Sequence, residues 1–406
     1  MGNCTVNDFN VELEQRLNLL REQNLLRELR RVDSPQSPHI KIGGKTFLNF
    51  SSNDYLGLAN DPILKDAALR AIKQFGSGSG ASRLLCGSLA PFHELEEALA
   101  QFKKTQAALT FSSGYATALG AIGALPGKND VIILDKLVHA CIVDAAKLSG
   151  AKIRVFAHND LTDLKEKLFW ARNFKSATGN RQPAILIVTE SIFSMDGDSA
   201  PLREMVELKN KFGAWLMVDE AHATGIFGKN GRGLADELGV SDQIEVQMGT
   251  LGKALGSSGG YICGSRALID FLVNRARSLI FSTTPVPASA AAATAAIRFV
   301  QSREGEARRK ILRERADKLN RKLKIQNSKF QSAIIPIIIG DEIKAIQAAD
   351  KLREQNIFVP AIRFPSVARG AARLRLTVSA AHSADDISQL IRALKTLDIA
   401  LPTLAA

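Results

Sequence analysis

"WLMVDEAHATG", residues 215–225, decides the fold. A short apolar run that stops at Asp219 and Glu220 reads as a strand with polar residues at its carboxyl end. Outward along the chain the same rhythm recurs in "DVIILD" (130–135), "IRVFAHND" (153–160), "AILIVTE" (184–190), "IEVQMGTLG" (244–252) and "GYICG" (260–264). Stretches of helical periodicity fall between most of these runs, which predicts an α/β fold with a mainly parallel sheet and helices on both faces. Ligands of such sheets bind beyond the carboxyl ends of the strands, where Asp219, Glu220, His222 and Thr250 fall.

Residues 8–31 read as a polar helix with spaced leucines, followed by an extended arm, "IKIGGKTFLNF" (40–50). Beyond a helical stretch at 288–324 the pattern changes to a strand, a helix over 343–355, two strands and a closing helix over 383–397, which predicts a smaller α+β domain. The expected division is an N-terminal helix and arm over 1–50, a large α/β domain over 51–290 and the smaller domain over 291–406. No internal repeat interrupts this organisation.

Of 406 residues, 46% are apolar and 23% charged, the balance of an ordinary soluble chain. No apolar run reaches the roughly 20 residues that cross a bilayer. The N-terminus lacks an apolar signal core, and Val6 breaks the myristoylation pattern, so a cytoplasmic location with no membrane partner is expected. Cys4, Cys86, Cys141 and Cys263 are scattered, with neither a CxxC pair nor a His-Cys cluster, so they read as buried thiols and no metal site is expected. The net charge is +12, much of it in residues 303–324. There Leu312, Ala316, Leu319 and Leu323 recur at helical spacing beneath a charged face, and no aromatic residues interleave to stack on bases. That pattern argues against a nucleic-acid partner.

"GTLGKALGSSGG" (249–260) sets Lys253 among small residues. A nucleotide-binding phosphate loop would need glycine at Gln247 and a hydroxyl residue at Ala254, so that reading fails. Asp219 offers another. A carboxylate at the end of an apolar strand needs a cationic partner, and a protonated pyridine ring is one. Pyridoxal phosphate has such a ring, and Lys253 suits its aldehyde. Three further stretches fit the same cofactor. Ser112, Ser113, Gly114 and Tyr115 open an Ala-rich helix whose positive end suits a phosphate. His139 follows a strand, where its imidazole suits stacking on a flat ring, and Ser194 lies in a polar turn after "AILIVTE".

The spaced motifs "NFSSNDYLGL", "GSGSGASRLLCGSLAPFHELE", "SSGY", "FAHND", "FSMDGDSAPL", "MVDEAHATG", "TLGKALG" and "RLRLTVSAAH" run from about residue 48 to 382. Together they resemble the α-oxoamine synthase family of fold-type I pyridoxal-phosphate enzymes. The resemblance implies Lys253 as the aldehyde-binding lysine, Asp219 as the pyridine-nitrogen partner, His139 as the stacking residue, and Ser194 and His222 around the ring hydroxyl. It implies Ser113, Gly114, Tyr115 and Thr250 near the phosphate and ring, with Ser282 and Thr283 offered from a second subunit of a homodimer. On the substrate side it implies Arg375 as the anchor of the amino-acid carboxylate, with Asn53, Arg27 and Ser366 nearby.

The motifs most resemble the branch whose acyltransferase joins L-alanine to a pimeloyl thioester, pimeloyl-ACP or pimeloyl-CoA, in biotin synthesis. Sister branches, namely glycine C-acetyltransferase, 5-aminolevulinate synthase and serine palmitoyltransferase, share the machinery, and Thr377 stands where the first of these usually has glutamine. Residues 361–376 depart from the pattern of the biotin branch at Phe364, Ser366, Ala368 and Arg369, Ser366 keeping a hydroxyl where threonine is usual. Arg369 reads either as a contact to the acyl carrier or as a solvated loop arginine. A non-catalytic binding protein on the same fold is the reading from another class, opposed by the joint presence of Lys253, Asp219 and His139.

Overall fold

The computed structural model describes residues 8–175, 182–323 and 331–397; Cys4 and Val6 lie outside them. The chain opens with α1 (Phe9–Glu22), capped by Asp8, and a hairpin of β1 (His39–Ile42) and β2 (Lys45–Asn49). α1 is shorter than the helix expected over 8–31. None of its residues is buried, so no packing supports further turns, and the chain leaves the helical path at Asn24, where φ is 56°.

The large sheet and its helices follow. They are α2 (Pro62–Phe75), α3 (Ala90–Lys103), β3 (Ala107–Phe111), α4 (Gly114–Ala124), β4 (Val131–Asp135), α5 (Ala140–Ser149), β5 (Lys152–Phe156) and α6 (Leu161–Asn173). Then come β6 (Ile185–Glu190), α7 (Leu202–Phe212), β7 (Trp215–Asp219), α8 (Leu234–Glu237), β8 (Val246–Thr250), β9 (Gly260–Gly264), α9 (Arg266–Arg275) and α10 (Arg277–Ile280). The seven strands lie in the order β3-β9-β8-β7-β6-β4-β5. All neighbours are parallel except β9, which runs antiparallel to both β3 and β8.

The period of two along each strand divides the core between the two faces. Val131, Ile133, Ile187 and Val218 join a core with α3, α6 and α7, while Ile132, Leu134, Val188 and Met217 join a second with α4, α5 and α9. β3 was not among the expected strands. "AALTF" begins with two alanines and carries little strand preference, yet all five residues are buried against β9 and its covering helices.

The helical stretch at 288–324 resolves into α11 (Pro287–Val300) and α12 (Arg303–Leu323). Gly305 permits the sharp junction, since a Cβ there would lie 2.4 Å from the Phe299 carbonyl oxygen. On α12, Leu312, Ala316, Leu319 and Leu323 are all buried, as their spacing predicts. Residue 290, the expected domain boundary, lies inside α11, which packs on α2 and α3.

The chain closes with β10 (Ile334–Gly340), α13 (Glu342–Glu354), β11 (Ile357–Phe358), β12 (Ala361–Ile362), β13 (Ala372–Thr377) and α14 (Ala384–Lys395), the last opened by a capping box at Ser383 and Asp386. β10, β13 and β12 form one small sheet, and β11 instead pairs with β2 of the N-terminal hairpin. Among the described residues no helix is long and apolar enough to cross a membrane; Cys86, Cys141 and Cys263 are free thiols, the last two buried as expected, whereas Cys86 is exposed.

Candidate active site

The carboxyl ends of β6, β7 and β8 bring the site together. Glu190 and Asp219 are direct partners in the β6–β7 register, both buried, and Thr250 ends β8 three residues before Lys253. Lys253 Nζ lies 2.9 Å from His222 Nε2, and the Tyr55 hydroxyl lies 2.7 Å from His222 Nδ1. Tyr55 donates to Asn53 Oδ1 at 3.1 Å. Its proton being so used, the phenol accepts from Nδ1–H, and Nε2 is left to accept from Lys253. Arg375 continues the chain of contacts. Two of its guanidinium nitrogens donate to Asn53 Oδ1, each at 3.2 Å, and Nε donates to the Ser194 carbonyl at 2.6 Å.

Burial sets the charge of these groups. It pushes His222 well below the ordinary histidine range, aided by the positive charges of Lys253 and Arg375, so the ring is neutral. Lys253 is lowered first by desolvation, against the pull of Asp219 and Glu190. Asp219 is raised by burial, and Lys253 offsets part of that rise. A further cation at the end of β7 would favour its charged form. Glu190 is pushed up to about 8 by burial and then by the Asp219 charge.

His139 caps α5. Its backbone N–H donates to Glu190 Oε1 at 2.6 Å, and its Nδ1 accepts from the Cys141 amide at 3.2 Å, so the ring proton resides on Nε2. Its proton affinity is lowered, mainly by burial.

A second cluster lies where α4 begins. Ser113 caps the helix by accepting from the Ala116 amide at 3.1 Å, and the first helical amides have no partner within the helix. The Thr250 hydroxyl is buried beside them without a hydrogen-bond partner. Glycine lets the two segments approach closely here, since a Cβ on Gly114 would lie 2.7 Å from Thr250 Cγ2. Free amides at a positive helix end and a spare hydroxyl fit an anionic group such as a phosphate. Tyr115 is half-exposed, and its phenol donates to Asp144 at 2.7 Å.

Other expected residues stand apart. Arg27 Nη2 contacts the Phe364 carbonyl at 3.3 Å and Ser366 Oγ at 3.5 Å, joining the N-terminal arm to the loop before β13. Ser282 and Thr283 lie on the segment after α10, where the Ser282 hydroxyl donates to the Thr283 carbonyl at 3.1 Å. The Arg369 guanidinium packs over the Phe364 ring at 4.6 Å. Thr377 donates to the Phe50 carbonyl at 2.9 Å. Tyr55 and Glu190 carried no expected role. Glu190 had a signal, since it ends an apolar strand as Asp219 does, whereas nothing in the sequence marked Tyr55 as the partner of His222.

Residues 45–394 match the family described as aminotransferase class I and II. The 8-amino-7-oxononanoate synthase of Geotalea daltonii is 45% identical, with 95% of this chain and 96% of the relative covered. That of Symbiobacterium thermophilum is 42% identical over the same shares. Among solved structures, serine palmitoyltransferase from S. paucimobilis, with a bound adduct of pyridoxal phosphate and myriocin, superimposes with a TM-score of 0.88 at 31% identity, covering 96% of this chain and 98% of that one. The 8-amino-7-oxononanoate synthase of Francisella tularensis gives 0.72 at 28% identity, covering 86% and 96%. The chain belongs to the aminotransferase class I and II family of fold-type I pyridoxal-phosphate enzymes, within its α-oxoamine synthase branch.

Proposed function

We propose that this enzyme is an acyltransferase that joins L-alanine to a pimeloyl thioester with loss of CO2, releasing the thiol carrier and giving 8-amino-7-oxononanoate for biotin synthesis. The observation that carries the reading is the connected set Lys253, His222, Tyr55, Asn53 and Arg375, which links a half-buried amine to a guanidinium suited to a carboxylate. The 45% identity to an 8-amino-7-oxononanoate synthase supports the choice of substrates.

Pyridoxal phosphate, when bound, supplies an aldehyde for the amino group and a pyridinium ring that draws electrons from the α-carbon. Lys253 would hold the aldehyde of that cofactor, and its Nζ would carry the α-proton of the amino acid away and back. Desolvation lowers its proton affinity toward the working pH, which an uncharged base needs. Asp219 would hold the ring nitrogen in its charged form, His139 would cover the ring face, and Ser194 and His222 would hold the ring hydroxyl. Ser113, Gly114, Tyr115 and Thr250 would hold the phosphate, with Ser282 and Thr283 of a second copy completing that site in a homodimer. Arg375, already aimed by Ser194 and Asn53, anchors the alanine carboxylate. Arg27 and Ser366 serve the acyl side, where either pimeloyl-ACP or pimeloyl-CoA meets a chain of net charge +12. The expected location is the cytoplasm.

The sister condensations are the second reading, favoured by the TM-score of 0.88 to serine palmitoyltransferase. A matrix of alanine, glycine and serine against acetyl, succinyl, pimeloyl and palmitoyl thioesters, followed by thiol release, separates them. Alanine with the pimeloyl thioester should exceed every other pair by at least about tenfold in kcat/KM, a difference of about 1.4 kcal/mol in the barrier. Preference for another pair would move the chain to a sister reaction. Lys253→Ala should lose both turnover and the visible absorbance of the bound cofactor; a variant that kept turnover would remove Lys253 from its role.

A further inference from the structure

The motif "FAHND" (156–160), left unused by this chemistry, meets the far end of "FSMDGDSAPL" (193–202), beyond Ser194, at His158. Its Nδ1 lies 3.0 Å from Asp135 Oδ1 and its Nε2 lies 2.8 Å from Asp198 Oδ2. The edge of the Phe193 ring closes on the imidazole, with centroids 4.3 Å apart and planes at 89°. Asp135 is itself held at the end of β4 by the amides of Leu137 and Asn159, at 2.8 and 2.9 Å. One side of the histidine is therefore fixed to the parallel sheet, and the other grips the turn that follows β6.

That turn is closed on itself. The Phe193 amide donates to the Asp198 carbonyl at 3.0 Å, the Gly197 amide donates to the Phe193 carbonyl at 2.9 Å, and Ile192 bridges Ser199. Gly197 presses on β10, where a Cβ would lie 2.4 Å from the Ile334 carbonyl oxygen. From the far side β13 reaches in with two arginines. Arg373 Nη1 donates to Asp196 Oδ1 at 2.5 Å and to the Met195 carbonyl at 3.2 Å, and Arg375 Nε donates to the Ser194 carbonyl at 2.6 Å. Asp198, which Asn159 Nδ2 also reaches at 3.0 Å, and the carbonyl that orients Arg375 thus belong to one closed turn.

We propose that His158 is a positioning residue, an imidazolium clamped between Asp135 and Asp198 that holds the 192–199 turn so that the Ser194 carbonyl aims Arg375 at the amino-acid carboxylate. Only a doubly protonated ring satisfies both carboxylates at once. Burial works against that charge, yet hydrogen bonds from Asp135 and Asp198 outweigh it and push the ring up to about 10. The assignment rests on the reading of Arg375 given above.

The test uses the holoenzyme and the variants His158→Gln, Asp198→Asn, the double variant and Arg375→Lys, with kcat and KM measured for L-alanine and for pimeloyl-CoA. Asp198 is partly exposed, so Asp198→Asn can be made without opening the core. His158→Gln and Asp198→Asn should each raise the alanine KM by about five- to tenfold, up to 1.4 kcal/mol. The pimeloyl-CoA KM and the cofactor absorbance should stay within about twofold, and the double variant should be no worse than the stronger single one. An unchanged alanine KM in Asp198→Asn, equal rises for both substrates, or multiplying effects in the double variant would overturn the proposal. If Arg375→Lys leaves the alanine KM unchanged, the reading of Arg375 falls first and takes the proposal with it.

Discussion

Glu190 and Asp219 stand side by side at the ends of neighbouring strands, and both are buried. Two adjacent buried carboxylates do not both ionise readily. The folded Glu190 carboxyl is raised from 4.5 to about 8, so it binds a proton that the unfolded chain releases at neutral pH. Its contribution to stability is full below about 4.5 and is lost as pH rises through about 8. Glu190→Gln is neutral throughout and lacks that loss. Its stability relative to the parent should grow by roughly 2–4 kcal/mol between pH 5 and 9, read from urea midpoints at each pH. Parallel curves for the two proteins would mean that Glu190 does not hold a proton in the folded state. Asp219 was legible as a candidate because an acid ended an apolar run. Glu190 met the same criterion, but its effect depends on the register that pairs it with Asp219, and register is a tertiary fact.

At the level of elements, the site is a set of junctions. α4 starts against the ends of β8 and β9, and glycine at 114 and 260 lets backbone approach backbone. A Cβ on Gly260 would lie 3.0 Å from Gly114 Cα. In Gly114→Ala the added methyl meets Thr250 Cγ2, the tip of a side chain that can turn aside, so the fold should survive. The displaced threonine and helix start should weaken cofactor binding by about tenfold, roughly 1.4 kcal/mol, measured by titrating apoenzyme with pyridoxal phosphate. Equal affinity would detach this junction from the phosphate. The strands "DVIILD", "AILIVTE" and "WLMVDEAH" were legible because long apolar side chains fill them. "AALTF" was not, because its place in the sheet comes from β9 pairing beside it rather than from its own residues. The break between α11 and α12 was hidden for a similar reason. Helical periodicity continues across it, and only the close approach of Gly305 to Phe299 marks the turn.

Across the whole molecule, apolar side chains remain uncovered in places far apart in sequence. α1 buries nothing, while Phe9 is 73%, Leu85 80% and Phe281 71% exposed. Exposed apolar surface of this kind suits an interface, and the Phe281 segment carries Ser282 and Thr283. Sedimentation equilibrium should therefore give about twice the chain mass of 43.9 kDa, held to micromolar dilution; a mass of one chain would leave Ser282 and Thr283 without a partner copy to serve. The sequence by itself determined the alternation of strand and helix, the large parallel sheet and the residues at its strand ends, because apolar spacing and motif chemistry are local properties. It also marked Lys253, Asp219, His139, His222 and Arg375 as candidates. Tertiary structure alone decided that Tyr55 meets His222, that Asn53 joins Tyr55 to Arg375, and that His158 ties Asp135 to the turn bearing Ser194. Apart from the local Tyr55–Asn53 bond, those contacts join residues 23 to 322 positions apart, and hydrogen bonds form only where folding brings donor and acceptor within about 3 Å.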